Sequence, residues 1–234
     1  MGGAAACSGN ERNEKNVHLI LLGPPGTGKG TQAKLIAEKL NVAHIATGDL
    51  FREAVRQGTE LGKQVGAYME RGELVPDELT IATLLERMRQ PDAREGAIFD
   101  GFPRTLQQAR ALDEALAGHG MAADLALLID APDDEIVRRL SGRWLCPACG
   151  RIFHEVSQPP KQEKLCDGCG GELMQRDDDK PEVVRKRLEQ QRPPQELLAH
   201  YRKQSKLVEI DGAQDVQAVA RDLLAAIEKA TAVS

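Results

Sequence analysis

Short runs of apolar residues alternate along this chain with longer stretches in which apolar positions recur at helical spacing. The runs predict strands at Val17 to Leu22, Ala43 to Ile45, Ala97 to Phe99, Leu125 to Ile129 and Leu207 to Ile210. At least one helical pattern separates each strand from the next, which is typical of a parallel sheet with right-handed crossovers. We therefore predict an α/β fold in which a parallel five-stranded sheet is flanked by helices.

The same pattern predicts how the connecting segments fold. Gly48 to Arg89 contains several short helical patterns, more than a simple crossover needs, so we expect an inserted helical subdomain. A helix is predicted from Asp133, with Arg139 and Arg143 on one face because they are four residues apart. Lys180 to Gln204 predicts one long, strongly charged helix.

Composition narrows the class of protein. The chain has 234 residues, enough to bury a large core, and its 3% aromatic content implies a core of Leu, Ile, Val and Ala. A net charge of -5 argues against a general binder of nucleic acid or membrane surfaces, and no apolar run is long enough to span a bilayer. Met1 to Asn16 is polar and lacks an apolar signal core, so we interpret it as a disordered extension with Cys7 as an exposed thiol. We expect a cytoplasmic protein.

A glycine-rich segment follows the first predicted strand and precedes the first predicted helix. Its sequence is Gly23-Pro24-Pro25-Gly26-Thr27-Gly28-Lys29-Gly30-Thr31. Glycines let successive backbone N–H groups curl around a phosphate, Lys29 adds positive charge, and the helix points its positive end at the same anion. This is the P-loop pattern. Gly30 stands where a hydroxyl residue usually follows the lysine, and Thr31 comes one residue later, so magnesium would be held less directly.

Two further motifs directly follow the second and third strands. They are Thr47-Gly48-Asp49-Leu50-Phe51-Arg52 and Asp100-Gly101-Phe102-Pro103-Arg104. Open α/β sheets bind ligands at the carboxyl ends of their strands, where Arg52 and Arg104 can converge on a second phosphate. Asp100 is placed to reach magnesium on the phosphates, although a loop-capping role would also explain it. Because Gly101 follows Asp100 and the chain has no Asn-Lys-x-Asp run, a hydrolytic NTPase and a GTPase switch are both disfavoured.

Two Cys-x-x-Cys pairs suggest a metal site. Cys146 and Cys149 form the first pair, and Cys166 and Cys169 form the second after sixteen intervening residues. Each pair offers two thiolates on one tight turn, so both together fit a tetrahedral zinc site with a structural role. Two disulfides or idle thiols are the alternative, which a reducing compartment disfavours. His154 is left as a surface or packing residue.

Arginines flank this small cysteine-containing ribbon in a chain that is acidic overall. They are Arg139, Arg143, Arg176, Arg185 and Arg187. A solvated helix face would account for most of them. Their grouping around a small ribbon also fits a lid that closes over phosphate.

Taken together, these motifs resemble the adenylate kinase family in its long-lid, zinc-containing form. The resemblance rests on the P-loop, the two strand-end motifs, Leu74-Val75-Pro76-Asp77 and the stretch Arg176 to Arg187. It covers the chain from Val17 to the C-terminal helix. It implies reversible, Mg²⁺-dependent transfer of the γ-phosphoryl group of ATP to AMP, giving two ADP. The enzyme would be a cytoplasmic monomer that binds neither nucleic acid nor membrane.

The resemblance also implies roles for individual residues. The ATP site would comprise Gly26, Thr27, Gly28, Lys29, Gly30, Thr31, Arg139, Arg143 and Gln214. The AMP site would comprise Thr47, Arg52, Val75, Gly101, Arg104, Gln108, Arg176 and Arg187. Catalysis would depend on Lys29, Asp100, Arg104, Arg139, Arg176, Asp178 and Arg187. The acidic run 177–179 leaves open which of its carboxylates acts.

The implied organisation has six segments. They are an N-terminal extension (1–16), a core with the P-loop (17–46), an AMP-binding insertion (47–76), further core (77–141), a zinc-containing lid (142–179) and a final core segment (180–234).

Two other functions stay open: a kinase for UMP or CMP, and a nucleotide-switched protein whose zinc ribbon docks on nucleic acid. Thr47 favours adenine by family resemblance, and the ribbon has only Trp144 and Phe153 as nearby aromatic residues for stacking.

Overall fold

The computed structural model describes residues 17–233. In chain order its elements are β1 (His18–Leu22), α1 (Lys29–Leu40), β2 (Ala43–Ala46), α2 (Thr47–Arg56), α3 (Glu60–Glu70), α4 (Asp77–Met88), a 3-10 turn (Pro91–Glu95), β3 (Ala97–Asp100), α5 (Leu106–Ala117), β4 (Leu125–Asp130), α6 (Asp133–Ser141), β5 (Arg143–Leu145), β6 (Ile152–His154), a second 3-10 turn (Asp177–Asp179), α7 (Pro181–Gln191), α8 (Gln195–Lys203), β7 (Leu207–Asp211) and α9 (Val216–Val233). The predicted disordered extension and Cys7 lie outside the described residues.

The predicted parallel sheet is confirmed. Within residues 17–233 it has five strands in the order β2-β3-β1-β4-β7, all parallel, and each begins and ends within one residue of its expected position. Strand β1 lies at the centre, where Leu19 pairs with Ile98 on one side and Leu125 on the other. The carboxyl ends of β1, β2 and β3 therefore meet along one edge of the sheet.

The core has two layers because side chains alternate along each strand. Ile20 and Leu22 of β1 point into a cluster with Phe99 and the helices α5 and α8. Leu19 and Leu21 point the other way, into a cluster with α1 and α9. Every residue of β1 is buried, as expected for a strand covered by helices on both faces.

The predicted helical insertion is also confirmed, since α2, α3 and α4 all lie between β2 and β3. It has a small core of its own in which Phe51, Val65 and Val75 are buried. Helices α2 and α3 approach so closely that a Cβ on Gly62 would lie 2.1 Å from the carbonyl oxygen of Ala54. The insertion is therefore a packed unit and not a set of loose turns.

Two predicted helices end earlier than the sequence pattern suggested. The helix from Asp133 was expected to include Arg143, but α6 ends at Ser141, with Gly142 as its C-cap, and Arg143 begins β5. A Cβ on Gly142 would lie 2.7 Å from the His154 ring, so the chain turns here where β6 packs closely against it. The prediction that Arg139 and Arg143 share one helix face is therefore wrong.

The long charged helix predicted over 180–204 is wrong as well. Helix α7 ends at Gln191 and α8 begins at Gln195, with Pro193 and Pro194 between them. Proline lacks the backbone N–H that a helix interior needs, and Pro194 has an extended backbone with φ −67° and ψ 150°. The proline pair therefore separates the charged helix α7 from α8, which packs on the sheet.

No helix in the described part of the chain combines the length and the apolar character needed to cross a membrane.

Tyr201 offers a test of the core packing. Its side chain is fully buried on α8, and its hydroxyl has no hydrogen-bond partner within residues 17–233. A buried hydroxyl without a partner costs about 1–3 kcal/mol. We expect Tyr201→Phe to keep or raise the thermal midpoint, whereas Tyr201→Leu, which loses the ring contacts, lowers it. A clear fall in the midpoint of Tyr201→Phe would contradict this description of the core.

Candidate active site

The P-loop joins β1 to α1 at the central strand of the sheet. Gly28 is the N-cap of α1 with φ 90°, a backbone conformation that glycine adopts without strain. The chain also passes so close to β4 that a Cβ on Gly23 would lie 2.1 Å from the carbonyl oxygen of Ile129. Inside the loop, Lys29 Nζ donates to the carbonyl oxygen of Pro24 at 2.6 Å, and Thr27 Oγ1 donates to the same oxygen at 3.1 Å. These contacts fix a tight loop at the N-terminus of a helix.

Lys29 is buried, and its surroundings do not fully compensate its charge. The pKa of its ammonium is lowered from the ordinary 10.5 to about 7, mainly by burial, and repulsion from Arg104 and Arg187 acts in the same direction. Asp100 acts in the opposite direction but does not restore the ordinary value. A bound anion would supply the missing negative charge.

Asp100 lies at the end of β3, facing the P-loop. A Cβ on Gly30 would lie 3.3 Å from its carboxylate oxygen Oδ2, so the small residue after the lysine makes room for Asp100. The same oxygen lies 3.4 Å from His44 Nε2 on β2. The structure therefore brings the predicted magnesium-binding carboxylate next to the predicted phosphate-binding loop.

The motifs after β2 and β3 meet at Gly101. Thr47 Oγ1 donates to the Gly101 carbonyl oxygen at 3.0 Å, and Arg104 Nε donates to the same oxygen at 2.9 Å. Gly101 has φ 74°, so it turns the chain in a way that other residues rarely allow. The two strand-end motifs therefore lie together at this edge of the sheet, while the convergence of Arg52 and Arg104 on a phosphate stays a prediction.

Gln108 belongs to a buried polar network. Its Oε1 accepts from the backbone N–H of Arg104 at 2.7 Å, and its Nε2 donates to Asp77 Oδ1 at 2.7 Å. Thr105 Oγ1 donates to the other oxygen of Asp77 at 2.6 Å. Asp77 thus joins the first turn of α4 to the Arg104 loop. Asp77 belongs to the motif Leu74-Val75-Pro76-Asp77, but no role was predicted for it from the sequence.

Arginines crowd together at this edge of the sheet. Burial, followed by repulsion from Arg187, lowers the pKa of Arg104 to about 10, and burial, followed by repulsion from Arg52, lowers that of Arg176 to about 10. Burial also lowers the pKa of Arg187. Among the described residues, no group accepts a hydrogen bond from the buried Nε of Arg176. The site therefore brings together buried and half-buried cations whose charge its own carboxylates do not fully compensate.

The three carboxylates of the acidic turn, defined as Asp177–Asp179, differ in how deeply they are buried. Asp177 is 80% exposed, whereas Asp178 lies 3.0 Å from Arg187 Nη1. Asp179 is fully buried and accepts two hydrogen bonds from Arg143, at 2.7 and 2.5 Å. Asp178 is the carboxylate named from the sequence, and Asp179 is a second, deeper one that the sequence did not distinguish. The two hydrogen bonds to Asp179 hold the Arg143 side chain against the acidic turn.

Arg139 contacts a different part of the edge. Its Nε donates to Glu135 Oε1 at 2.6 Å, and its Nη1 donates to the carbonyl oxygen of Gly212 at 2.7 Å. Nη2 lies 3.4 Å from the carbonyl oxygen of Gln214, whose side-chain Nε2 donates to Asp222 at 2.9 Å. Arg139 and Gln214, both expected on the ATP side, therefore lie together at the loop after β7.

A cavity of about 150 Å³ is lined by residues of both halves of the site, including Lys29, Gly101, Arg104 and Gln191. Val75, expected in the AMP site, is buried in the core of the insertion. The sequence did not indicate Gln191 or Glu135. Glu135 could have been found from its spacing of four residues to Arg139 on one helix, but no local pattern points to Gln191.

The four cysteines of the two pairs come together in the small ribbon β5-β6. Their sulfur atoms all lie within 4.8 Å of one another, and the thiols are free. Cys146 Sγ lies 3.4 Å from Cys169 Sγ, and Cys149 Sγ lies 3.5 Å from Cys166 Sγ. Both are far longer than a disulfide bond of about 2.05 Å and close to the sulfur spacing of about 3.8 Å around a tetrahedral zinc.

His154 lies outside this group, as expected. Its Nδ1 accepts from the backbone N–H groups of Val156 and Ser157 at 3.1 and 3.2 Å. Cys146, Phe153 and Leu173 form the small buried cluster of the ribbon, with Trp144 packed against it. The residues present fit a four-thiolate metal site.

Comparison with known proteins identifies a family for this chain. A family profile described as adenylate kinase matches residues 21–206. The chain is 50% identical over 214 residues to the adenylate kinase of Methanocella arvoryzae, which covers 91% of this chain and 99% of the relative. It is 49% identical over 214 residues to the adenylate kinase of Archaeoglobus fulgidus, with the same 91% and 99% coverage. It is 52% identical over 204 residues to that of Salinispora tropica, covering 87% and 94%.

The acidic turn gives a direct test of the site's electrostatics. Asp179→Asn would remove the buried carboxylate that pairs with the half-buried guanidinium of Arg143, so we expect a loss of about 3 kcal/mol in the free energy of unfolding. Asp177→Asn is the matched control: its carboxylate is 80% exposed, and we expect no measurable change. Urea unfolding of both variants decides, and equal stabilities would show that the buried pair has no structural role.

Proposed function

Since this chain belongs to the adenylate kinase family, we propose that it transfers the γ-phosphoryl group of ATP to AMP, giving two ADP. The chain is a phosphotransferase, and the family match that supports this activity covers most of its length. The observation in the site that carries the proposal is a surplus of positive charge formed by the buried Lys29 and Arg187 and the half-buried Arg104 and Arg176. Two nucleotides bring several phosphates, which is the charge that this cluster lacks.

The P-loop would hold the ATP phosphates. Because its glycines carry no side chains, a phosphate can approach the backbone N–H groups of the loop. Lys29 at the start of α1 contributes positive charge beside the N-terminus of the helix. The ATP site also includes Gly26, Thr27, Gly28, Gly30, Thr31, Arg139, Arg143 and Gln214. Arg139 would approach ATP from α6, next to Gln214.

AMP would lie in the angle between β3 and the helical insertion. Arg52 and Arg104 would clamp its phosphate, while Thr47 and Gln108 would lie near its adenine. Val75 and Gly101 would complete this site, and Arg176 and Arg187 would bridge the two phosphate chains. This arrangement is supported by the shared contacts of Thr47 and Arg104 with Gly101.

Adenylate kinases use Mg²⁺ with ATP, and Asp100 is the carboxylate best placed to hold it. Its oxygen borders Gly30 of the P-loop, and a carboxylate is a ligand that Mg²⁺ prefers. When bound, the ion would neutralise charge on the phosphates. Asp178 would contribute from the acidic turn at the base of the lid.

This chain's residues contribute positioning and electrostatic stabilisation, and no covalent intermediate is needed. Lys29 and the arginines hold the acceptor and the transferring group in line and compensate the charge that spreads over the equatorial oxygens. Water would compete with AMP as acceptor. The lid (142–179) and the AMP-binding insertion (47–76) would therefore close before transfer, on the remaining core of 17–46, 77–141 and 180–234.

The four cysteines would hold a structural zinc. All four tetrahedral positions would be filled by sulfur, so no open position remains for chemistry. A ribbon with so few buried apolar residues would gain much of its folding free energy from the metal, on the order of 10 kcal/mol. We place the enzyme in the cytoplasm as a monomer that binds neither nucleic acid nor membrane.

Acceptor competition tests the proposed reaction. We expect ADP to form from Mg-ATP only when AMP is present, at two ADP per ATP consumed, with UMP, CMP and GMP as poor acceptors. Preferred turnover of UMP or CMP would identify a different monophosphate kinase, and slow ADP release regardless of acceptor would identify an ATPase or a switch.

Arg104→Ala should impair the use of AMP far more than the binding of ATP, because Arg104 belongs to the acceptor side.

Metal removal tests the zinc site separately. Chelation, or the double substitution Cys146→Ser and Cys149→Ser, should lower the thermal midpoint while leaving turnover largely intact below it. Cys7→Ser is the matched control, since Cys7 belongs to neither Cys-x-x-Cys pair. The purified protein should contain one zinc per chain, and an unchanged midpoint after metal removal would rule out a stabilising role.

A further inference from the structure

Gln191, the last residue of α7, binds the guanidinium of Arg104 at a different nitrogen from the one that contacts Gly101. Its Oε1 accepts from Arg104 Nη1 at 2.6 Å, while Arg104 Nε donates to the carbonyl oxygen of Gly101 at 2.9 Å. Two contacts at different nitrogens fix the plane of a guanidinium, which a single contact would leave free to rotate. The remaining N–H donors on Nη1 and Nη2 are left for an anion.

The other end of the same amide reaches the helical insertion. Gln191 Nε2 donates to the carbonyl oxygen of Gly72 at 2.6 Å. One partner is a pure donor and the other a pure acceptor, so only one orientation of the amide satisfies both. Gln191 therefore links Arg104 to the turn that joins α3 and α4.

That turn is seated directly on α7. Gly72 has φ 69°, and a Cβ there would lie 2.8 Å from side-chain atoms of Arg187 and Val183, so only glycine allows this approach. Beside it, Lys186 Nζ pairs with Glu73 Oε1 at 2.9 Å. The Gly72 carbonyl is thus held at a defined distance from α7, where the Gln191 side chain donates a hydrogen bond to it.

The chemistry of Gln191 matters as much as its position. Its carbonyl orients Arg104 without neutralising it, whereas a carboxylate at the same place would form an ion pair and compete with an incoming phosphate. Burial, followed by repulsion from Arg187, lowers the pKa of Arg104 to about 10, so the guanidinium is still charged at neutral pH and its charge is available to an anionic ligand.

We propose that Gln191 is a positioning residue for the acceptor: it aims the charged guanidinium of Arg104 at the phosphate of the nucleoside monophosphate when the insertion is seated on α7. The inference rests on the proposed function, because it deepens the role of Arg104 on the acceptor side. Gln191 itself touches Arg104 and Gly72 and need not touch the nucleotide.

The test compares two substitutions with a control in the full-length enzyme. Gln191→Glu keeps the side-chain length but supplies the competing charge, and Gln191→Leu removes both hydrogen bonds while keeping most of the volume. Gln195→Glu adds the same charge at an exposed position of α8 that does not line the cavity. For each variant we would measure KM for AMP, KM for ATP, kcat, the Kd of AMP alone by calorimetry, and the thermal midpoint.

We expect Gln191→Glu to raise the KM and Kd of AMP by about tenfold or more, with the KM of ATP within about twofold of wild type. Gln191→Leu should raise the KM of AMP less, because it adds no competing charge, and Gln195→Glu should match wild type. Wild-type AMP affinity in Gln191→Glu, or equal losses for AMP and ATP, would overturn the inference. A wild-type enzyme that does not use AMP would instead refute the proposed function, so the two failures are distinguishable.

Discussion

Buried positive charge without enough negative charge around it is the constraint on which this structure depends. At one edge of the sheet Lys29 and Arg187 are buried and Arg104 and Arg176 are half-buried, and burial lowers the pKa of each. Removing a cation from water costs free energy unless an anion replaces the lost hydration. The site is therefore organised for phosphate, which supplies the missing charge when it binds.

The fold places these cations on separate elements. The P-loop is fixed by close backbone contacts at Gly23, and the acidic turn places Asp179 beneath Arg143. The insertion, which carries Arg52, rests on α7 through the turn at Gly72. Because each arginine belongs to a different element, ligand phosphate would pull the elements together, and this is the physical basis of the proposed closure of lid and insertion.

Much of this could be predicted from the sequence because it depends on local pattern. The strands are bounded apolar runs, the P-loop is a contiguous motif, and the cysteine pairs have the spacing of a four-thiolate site. The helix ends at Gly142 and at the prolines after Gln191 were missed because helical spacing continues on both sides of them. Long-range partners could not be predicted: Gln191 and Gly72 are 119 residues apart, and nothing local distinguishes Asp179 from its two acidic neighbours.

Calorimetric measurement of proton uptake when ATP binds tests directly whether phosphate supplies the charge missing around Lys29. Lys29 has a pKa of about 7 without ligand, so at about pH 8 it is mostly uncharged, and bound phosphate should raise this pKa by favouring the charged form. Binding in buffers of different ionisation enthalpy should therefore show uptake of most of one proton, and Lys29→Arg, which stays charged, should show none. Tight ATP binding by the wild type without proton uptake would contradict the claim that phosphate supplies the charge missing around Lys29.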